Sequence, residues 1–203
     1  MTRTLLLGAC ALFSTACTAS SDDVGEAGVN DVAGVAEMVN RCPDTLILDL
    51  AGYGSDELPE FKGDHDAWHV ENGLRSGVET ADSGVQYRVV QRGMENGMTP
   101  RSGETVTARY HGTKLDGTIF DSSIQRDEGF TTATTRVIPG WTEMLEDMTV
   151  CEARTIYLPA ALAYGQRGAP RAGIAPGDSL IFQMQLVSVD REGVADAVGI
   201  DRN

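Results

Sequence analysis

Hydrophobic and polar residues alternate in several short runs of the second half of the chain, a pattern typical of half-buried β-strands. We predict strands at residues 85–90, 105–110, 153–158 and 179–189. The Asp116-Gly117 pair is a turn signal, and it returns the second of these strands toward Ile119 and Phe120.

One helix is predicted between these strands. Residues 140–148 place apolar side chains at positions 141, 144, 145 and 148, which is the spacing of a single helical stripe. Several antiparallel strands with one short helix predict an α+β fold, in which the sheet forms a half-barrel wrapped around that helix.

The first residues have the organisation of an export signal. Arg3 is the only charge before Asp22, Leu5 to Phe13 is apolar, and residues 14–16 are small. Because Cys17 follows directly, we expect a lipoprotein-type signal peptide over residues 1–16, with Cys17 as the lipidated residue. Simple secretion is the alternative. The nine-residue apolar stretch is too short for a membrane span, which needs about 20 residues, so a lipid would be the only membrane anchor.

Residues 17–82 form an acidic arm whose structure the sequence leaves open. They contain 15 acidic and three basic residues, a net charge of −12, out of −14 for the whole chain. Residues 45–50 could be a strand or a short helix, and residues 52–77 could wrap the domain that follows. The arm lacks a sustained apolar stripe, so dimerisation is not supported. The acidity and the absence of a basic cluster argue against nucleic acid as a partner.

The cysteines and histidines suggest no cofactor. If Cys17 is lipidated and Cys10 is removed with the signal peptide, Cys42 and Cys151 remain as an even pair in an oxidising compartment. They could form a disulfide or stay two separate buried thiols. His65 and His69 are four residues apart, but glycines bracket them and no third ligand is near in sequence. We therefore predict neither a metal site nor another cofactor.

Three blocks combine aromatic and branched residues with Asp-Gly or Pro-Gly turns. They are Tyr110–Ser123, Val137–Trp141 and Leu158–Gly165. This composition favours a small, dry, preformed pocket. Hydrolysis in such a pocket would need a nucleophile with a base, yet His111 is the only histidine of residues 83–190 and no Gly-x-Ser-x-Gly elbow exists.

Together with Ser179–Phe182, these blocks resemble in order and spacing the signature of FK506-binding-protein-type peptidyl-prolyl cis-trans isomerases. The resemblance covers residues 83–190, which leaves 191–203 as a C-terminal tail. Residues 83–90 are similar to the exported bacterial branch, which includes the macrophage infectivity potentiators. The resemblance implies an isomerase of X-Pro bonds, on the periplasmic side of a bacterial membrane or else soluble or secreted, with proline-containing polypeptides as clients.

Isomerisation of an X-Pro bond is a reaction that an apolar pocket without a nucleophile can catalyse. Rotation about an X-Pro bond breaks amide resonance, at a cost of about 18–20 kcal/mol, and needs no covalent bond to the protein. An apolar slot that removes water and binds the twisted imide better than the planar one would lower that barrier. A proline-peptide-binding or chaperone module of the same fold with weak turnover is the alternative.

By matching position, the resemblance implies four catalytic residues. Trp141 would form the pocket floor, the backbone N–H of Ile138 and the phenol of Tyr164 would donate to peptide carbonyls, and Asp121 would face the rim. The implied substrate-binding residues are Tyr110, Phe120, Arg126, Phe130, Val137 and Phe182, with Arg126 pairing with Asp121. Macrolides could also occupy this pocket. Ala169 and Ala175 differ from the common His and Ile of the family, and we expect Ala175 to remove apolar cover from one side.

Overall fold

The computed structural model describes residues 40–50 and 58–191. The expected signal peptide over residues 1–16, the lipidation site Cys17, the first part of the acidic arm and the tail from residue 192 lie outside the described residues.

Within these residues, seven strands form one antiparallel sheet. They are β1 (Glu79–Thr80), β2 (Gln86–Gln91), β3 (Thr105–Lys114), β4 (Ile119–Ser122), β5 (Phe130–Ala133), β6 (Ala153–Leu158) and β7 (Leu180–Asp190). Their order is β1-β2-β6-β7-β3-β4, and β5 pairs with β3. The four predicted strands correspond to β2, β3, β6 and β7. The sheet begins at Glu79, slightly before the expected domain start at residue 83.

The predicted helix is α2 (Pro139–Asp147), and its apolar stripe faces the sheet. (Helix α1, His65–Gly73, has the same length of nine residues and precedes the sheet.) Pro139 occupies the first turn of α2, where its missing N–H is not needed. Trp141, Met144 and Leu145 are buried in one cluster with side chains from the inner face of β6 and β7. The predicted α+β architecture, an antiparallel sheet around one short helix, is confirmed.

Helix α1 lies in the arm and was not predicted from the sequence. The side chain of Asp64 caps it by accepting a hydrogen bond from the N–H of Ala67 at 3.0 Å. Only Trp68 and Asn72 are buried among its nine residues, so no apolar stripe marks it in the sequence. Trp68 packs in one cluster with Tyr157 of β6 and Ile181 of β7, which point away from α2. The arm thereby covers part of the outer face of the sheet.

The segment 40–50 is also attached to the sheet. Cys42 forms a disulfide with Cys151, so the structure selects the paired alternative over two separate thiols. The N–H of Cys42 donates to Val187 O at 2.7 Å, and the N–H of Leu48 donates to Gln185 Oε1 at 2.9 Å. Residues 45–50, which could be a strand or a short helix from the sequence, begin within a 3₁₀ turn, Asp44–Leu46.

The two histidines of α1 take part in separate contacts. His65 Nδ1 accepts a hydrogen bond from the N–H of Ser179 at 3.2 Å, whereas His69 Nδ1 lies 3.4 Å from Gln86 Oε1. Residues 40–50 and 58–191 contain no group of three or more His, Cys, Asp and Glu side chains placed to hold a metal ion. Over the same residues, no helix has the length and apolar character that a membrane crossing requires.

Candidate active site

A cavity of about 510 Å³ opens between the N-terminal end of α2, strands β3, β4 and β7, and the loop that carries Tyr164. Its lining residues come from all three sequence blocks. They are Tyr110, Phe120, Asp121, Phe130, Arg136, Val137, Ile138, Pro139, Trp141, Tyr164 and Phe182. The cavity therefore contains every candidate site residue named from the sequence within the described range except Arg126, which lies behind Asp121 and hydrogen bonds to it.

Gly112 in the middle of β3 makes room for two of the aromatic rings. A Cβ at this position would lie 2.7 Å from Phe120 Cζ, closer than carbon atoms approach, and 3.1 Å from Phe182 Cε1, a tight contact. Gly112 pairs directly with Phe182 across β3 and β7. The rings of Phe120 and Phe182 meet edge to face, with centroids 5.4 Å apart. The absence of a side chain at Gly112 thus allows both rings to pack over the strand.

Trp141 lies at the centre of the aromatic lining. Its ring meets those of Tyr110 at 5.0 Å, Phe182 at 5.1 Å and Phe130 at 6.0 Å between centroids, all edge to face. Only 4% of the residue is exposed. Trp141 lies in the first turn of α2, so the helix backbone sets the position of its ring. Its indole Nε1–H has no hydrogen-bond partner among the described residues. A rigid, apolar floor results.

The rim contains a compact ion pair. The Tyr110 hydroxyl donates to Asp121 Oδ2 and Arg126 Nη1 donates to Asp121 Oδ1, while Arg126 Nη2 donates to the Tyr110 oxygen at 3.2 Å. Burial opposes ionisation of Asp121, but the hydrogen bonds from Tyr110 and Arg126 outweigh it and lower the pKa of Asp121. Burial and the bond to Asp121 together raise the pKa of Tyr110 to about 12. Asp121 is thus a paired carboxylate at neutral pH.

Besides the indole of Trp141 and the guanidinium of Arg136, two hydrogen-bond donors of the lining have no partner among the described residues. Within the described residues the backbone N–H of Ile138 has no acceptor, because Ile138 is the N-cap of α2 and precedes its hydrogen-bonded turns. The phenol of Tyr164 likewise has no partner in this part of the chain, and the residue is 39% exposed. Burial, and then the charge of Asp121, raise the pKa of Tyr164, so that its hydroxyl keeps its proton. The cavity therefore offers two donors to a ligand with carbonyl oxygens.

Two residues of the lining, Arg136 and Pro139, were not identified as site residues from the sequence. Arg136 ends a 3₁₀ turn, Thr134–Arg136, that directly precedes Val137. The side chain of Arg136 reaches the cavity because of the way this turn packs against α2. The local sequence pattern does not reveal that packing.

Two positions that differ from the family, Ala169 and Ala175, lie near the cavity in sequence, and the loss of apolar cover expected at Ala175 stays a prediction. Neither Ala169 nor Ala175 lines the cavity among the residues described. Ala169 and Ile174 exchange backbone hydrogen bonds of 2.9 and 3.2 Å, and this narrow loop buries Ile174 in the main core. Ala169 itself packs against that core.

Comparison with known proteins defines the class. Residues 96–187 match the FKBP-type peptidyl-prolyl cis-trans isomerase family. With the fold and the cavity, this match shows that the chain contains an FKBP-type domain, and the family resemblance drawn from the sequence blocks is confirmed.

The similar proteins include bacterial proteins of the Mip and FkpA types. The chain is 39% identical over 157 residues to the outer membrane protein MIP of Legionella longbeachae, covering 76% of this chain and 65% of that protein. It is 40% identical over 126 residues to the peptidyl-prolyl cis-trans isomerase Mip of Coxiella burnetii, covering 62% and 54%. The crystal structure of FkpA from Escherichia coli aligns with a TM-score of 0.58 at 35% identity, covering 62% and 57%. The chain thus spans roughly half to two thirds of these relatives.

Proposed function

We propose that this protein is a peptidyl-prolyl cis-trans isomerase that accelerates rotation about X-Pro bonds in polypeptides. The observation that carries the proposal is the aromatic cavity with two free donors, Ile138 N–H and Tyr164 O–H, in a domain of the FKBP type. The described lining has no cysteine, serine or histidine that could act as a nucleophile or its base. A reaction without covalent intermediates suits such a lining.

The floor and walls of the cavity would act on the imide. A proline ring on Trp141, walled by Phe120 and Phe182, would be removed from water. Charge-separated amide resonance is weaker in an apolar environment, so the planar ground state loses part of its advantage over the twisted state. Because the barrier is about 18–20 kcal/mol, even about 4 kcal/mol of preferential binding to the twisted imide gives roughly 10³-fold acceleration.

The free donors and the rim carboxylate would orient the peptide. Ile138 N–H and Tyr164 O–H would each bind a peptide carbonyl and hold the chain on both sides of the rotating bond. Asp121 would be close to the imide carbonyl carbon, which becomes more electropositive as resonance is lost, and its charge would favour that state. Arg126 and Tyr110 would keep the Asp121 carboxylate ionised and oriented.

We further propose that the protein acts after export. The Cys42–Cys151 disulfide supports an oxidising compartment, and one relative is named an outer membrane protein. Attachment through a lipid on Cys17 is part of this proposal. Cys17→Ser should move the protein from the membrane fraction to the soluble fraction, and a variant that stays with membranes would contradict a lipid anchor at that residue.

An isomerisation assay tests the activity. Purified protein is added to a chromogenic Ala-Leu-Pro-Phe peptide whose trans form alone is cleaved by a protease, and the cis-to-trans rate is followed. We expect acceleration well above the uncatalysed rate, with at least a tenfold loss in Trp141→Ala. Leu74→Ala, which changes a side chain in an 84% exposed residue of the arm, is the control and should keep full activity.

A rate equal to the uncatalysed one would reject the isomerase. If the same protein then bound the peptide, the weak binding module would be the correct interpretation. If Trp141→Ala kept full activity, the active cavity would have to be elsewhere.

A further inference from the structure

The charges that line the cavity are unbalanced. Of the described lining residues only Asp121 and Arg136 are charged. Arg126 balances the charge of the ionised Asp121 in a direct ion pair, whereas Arg136 makes no ion pair with any residue in the described part of the chain. The rim therefore carries one uncompensated positive charge, although the protein as a whole has a net charge of −14.

This lack of a partner is unlike several other arginines of the domain. Arg154 is held by Asp147 and Glu152, and Arg191 is held by Glu104. In both cases acidic side chains balance the charge of a guanidinium group that is largely buried. Arg136 is exposed at the cavity mouth, so its guanidinium is available to a ligand.

The backbone of Arg136 is held firmly. Thr134, the first residue of its 3₁₀ turn, is fully buried. The Thr134 hydroxyl donates to Glu146 Oε1 of α2 at 2.9 Å, and Thr142 Oγ1 of the same helix donates to Thr134 O at 2.7 Å. These bonds fix the turn to the helix that carries Trp141. The distance between the Trp141 floor and the Arg136 backbone is thereby set by the fold.

We propose that Arg136 makes the cavity select proline peptides that carry a carboxylate side chain one or two residues from the proline. This inference rests on the proposed function and names the preferred substrate class of the same site. Successive residues of an extended peptide advance by about 3.3–3.6 Å, so a peptide with its proline on Trp141 places its neighbouring side chains at the rim. Guanidinium binds carboxylate through two parallel hydrogen bonds.

The size of the effect follows from the exposure of the pair. Solvent-exposed ion pairs are weak, and their contribution corresponds to about a two- to fivefold preference. The preference should disappear in about 1 M salt, where charges are screened beyond about 3 Å.

Matched peptides test the selection. The full chain is assayed with Ala-Xaa-Pro-Phe peptides in which Xaa, directly before the proline, is Glu or Gln. Two further peptide pairs place Glu or Gln two residues before the proline or one residue after it. At one or more positions kcat/KM should be two- to fivefold higher for Glu than for Gln. Arg136→Gln should reduce this ratio to about one, and Arg136→Lys should keep part of it. Arg92→Gln removes an exposed arginine outside the cavity lining and should leave the ratio unchanged.

The outcomes separate the two proposals. A Glu-to-Gln ratio of kcat/KM of about one at every position would overturn the role of Arg136, and so would a ratio that Arg136→Gln leaves unchanged. Isomerisation of the Gln peptides would still support the enzyme in both cases. If no peptide were isomerised, the proposed function would fail. The selection would then be judged from the Glu-to-Gln ratio of peptide affinities in the same variants, measured by tryptophan fluorescence, with the same expected and contrary results.

Discussion

Tyr110 on β3 donates its phenolic hydrogen to the carboxylate of Asp121 on β4. The bond occupies the hydroxyl of a residue that also forms part of the cavity wall, so Tyr110 is not a free donor for a substrate. It also ties the edge strand β4 to β3 at the point where the cavity opens. Tyr110 thus contributes its ring to the cavity and its hydroxyl to the rim.

Removing the Tyr110–Asp121 hydrogen bond should lower the unfolding free energy, and the effects of changing the two residues should not be additive. Tyr110→Phe should cost about 1 kcal/mol of unfolding free energy, the usual net value of one hydrogen bond. Asp121→Asn should cost at least as much, because it removes the acceptor charge and also weakens the exposed pair with Arg126. Since both variants disrupt the same network, the double variant should lose clearly less than the sum. Urea unfolding of the four proteins measures this, and strictly additive losses would show that the two residues do not cooperate.

Gly112→Ala should damage the cavity. The added methyl group would lie 2.7 Å from Phe120 Cζ, so the ring must move out of the wall. We expect at least a tenfold lower kcat/KM in the isomerisation assay, with a stability loss of about 1–3 kcal/mol from overpacking.

Gly93→Ala is the matched control for this effect. Its Cβ would lie 2.6 Å from Thr149 Cβ, so it is equally overpacked but outside the cavity lining. It should lose stability and keep its activity at temperatures where it remains folded. Equal loss of activity in both variants would attribute the Gly112 effect to general destabilisation.

The disulfide should stabilise the domain without affecting catalysis. Cys42 and Cys151 are 109 residues apart in the sequence, and closing so long a loop restricts the unfolded chain strongly. Replacing both by serine should lower the unfolding free energy by about 2–5 kcal/mol. Isomerase activity should be unchanged at low temperature, because neither residue lines the cavity.

A reducing agent provides the control for the disulfide. It should lower the stability of the wild-type protein toward that of the double serine variant and leave the variant unaffected. If the reducing agent destabilised both proteins equally, the Cys42–Cys151 bond would not be the source of the effect.

Acid should weaken the ion pair that joins the start of β3 to the end of its neighbouring strand β7. Arg191, just after β7, donates to both carboxylate oxygens of Glu104, at 2.6 and 2.8 Å. These bonds lower the pKa of Glu104 to about 2. Because the pKa is lower in the folded state than in the unfolded state, at about 4.3, the stabilisation is complete above about pH 4.3. It is lost as the pH falls toward about 2.

Glu104→Gln isolates this contribution. The variant should be less stable than the wild-type protein at pH 7, and the difference should shrink between about pH 4.3 and 2 and vanish below that range. Thermal unfolding across this range measures the difference. A gap between the two proteins that does not change with pH would mean that the Glu104 charge adds nothing to stability.

The sequence alone was sufficient for most of the domain. The alternation in residues 85–90 and the helical stripe of residues 140–148 each arise from one element facing one core, so local spacing reveals them. The aromatic members of the cavity were identified because they belong to motifs with characteristic order and spacing. Their placement around Trp141 follows once that fold is assumed.

Other features depended on contacts between distant parts of the chain. Helix α1 buries Trp68 but lacks a stripe, so only its packing against β6 and β7 shows why it forms. The choice of disulfide over separate thiols at Cys42 depends on where residues 109 positions apart meet. Arg136 belongs to the cavity because Thr134 is bonded to α2. The sequence determined which residues favour strand, helix and pocket, whereas the tertiary structure decided which distant groups meet, since those contacts depend on the packing of the whole domain.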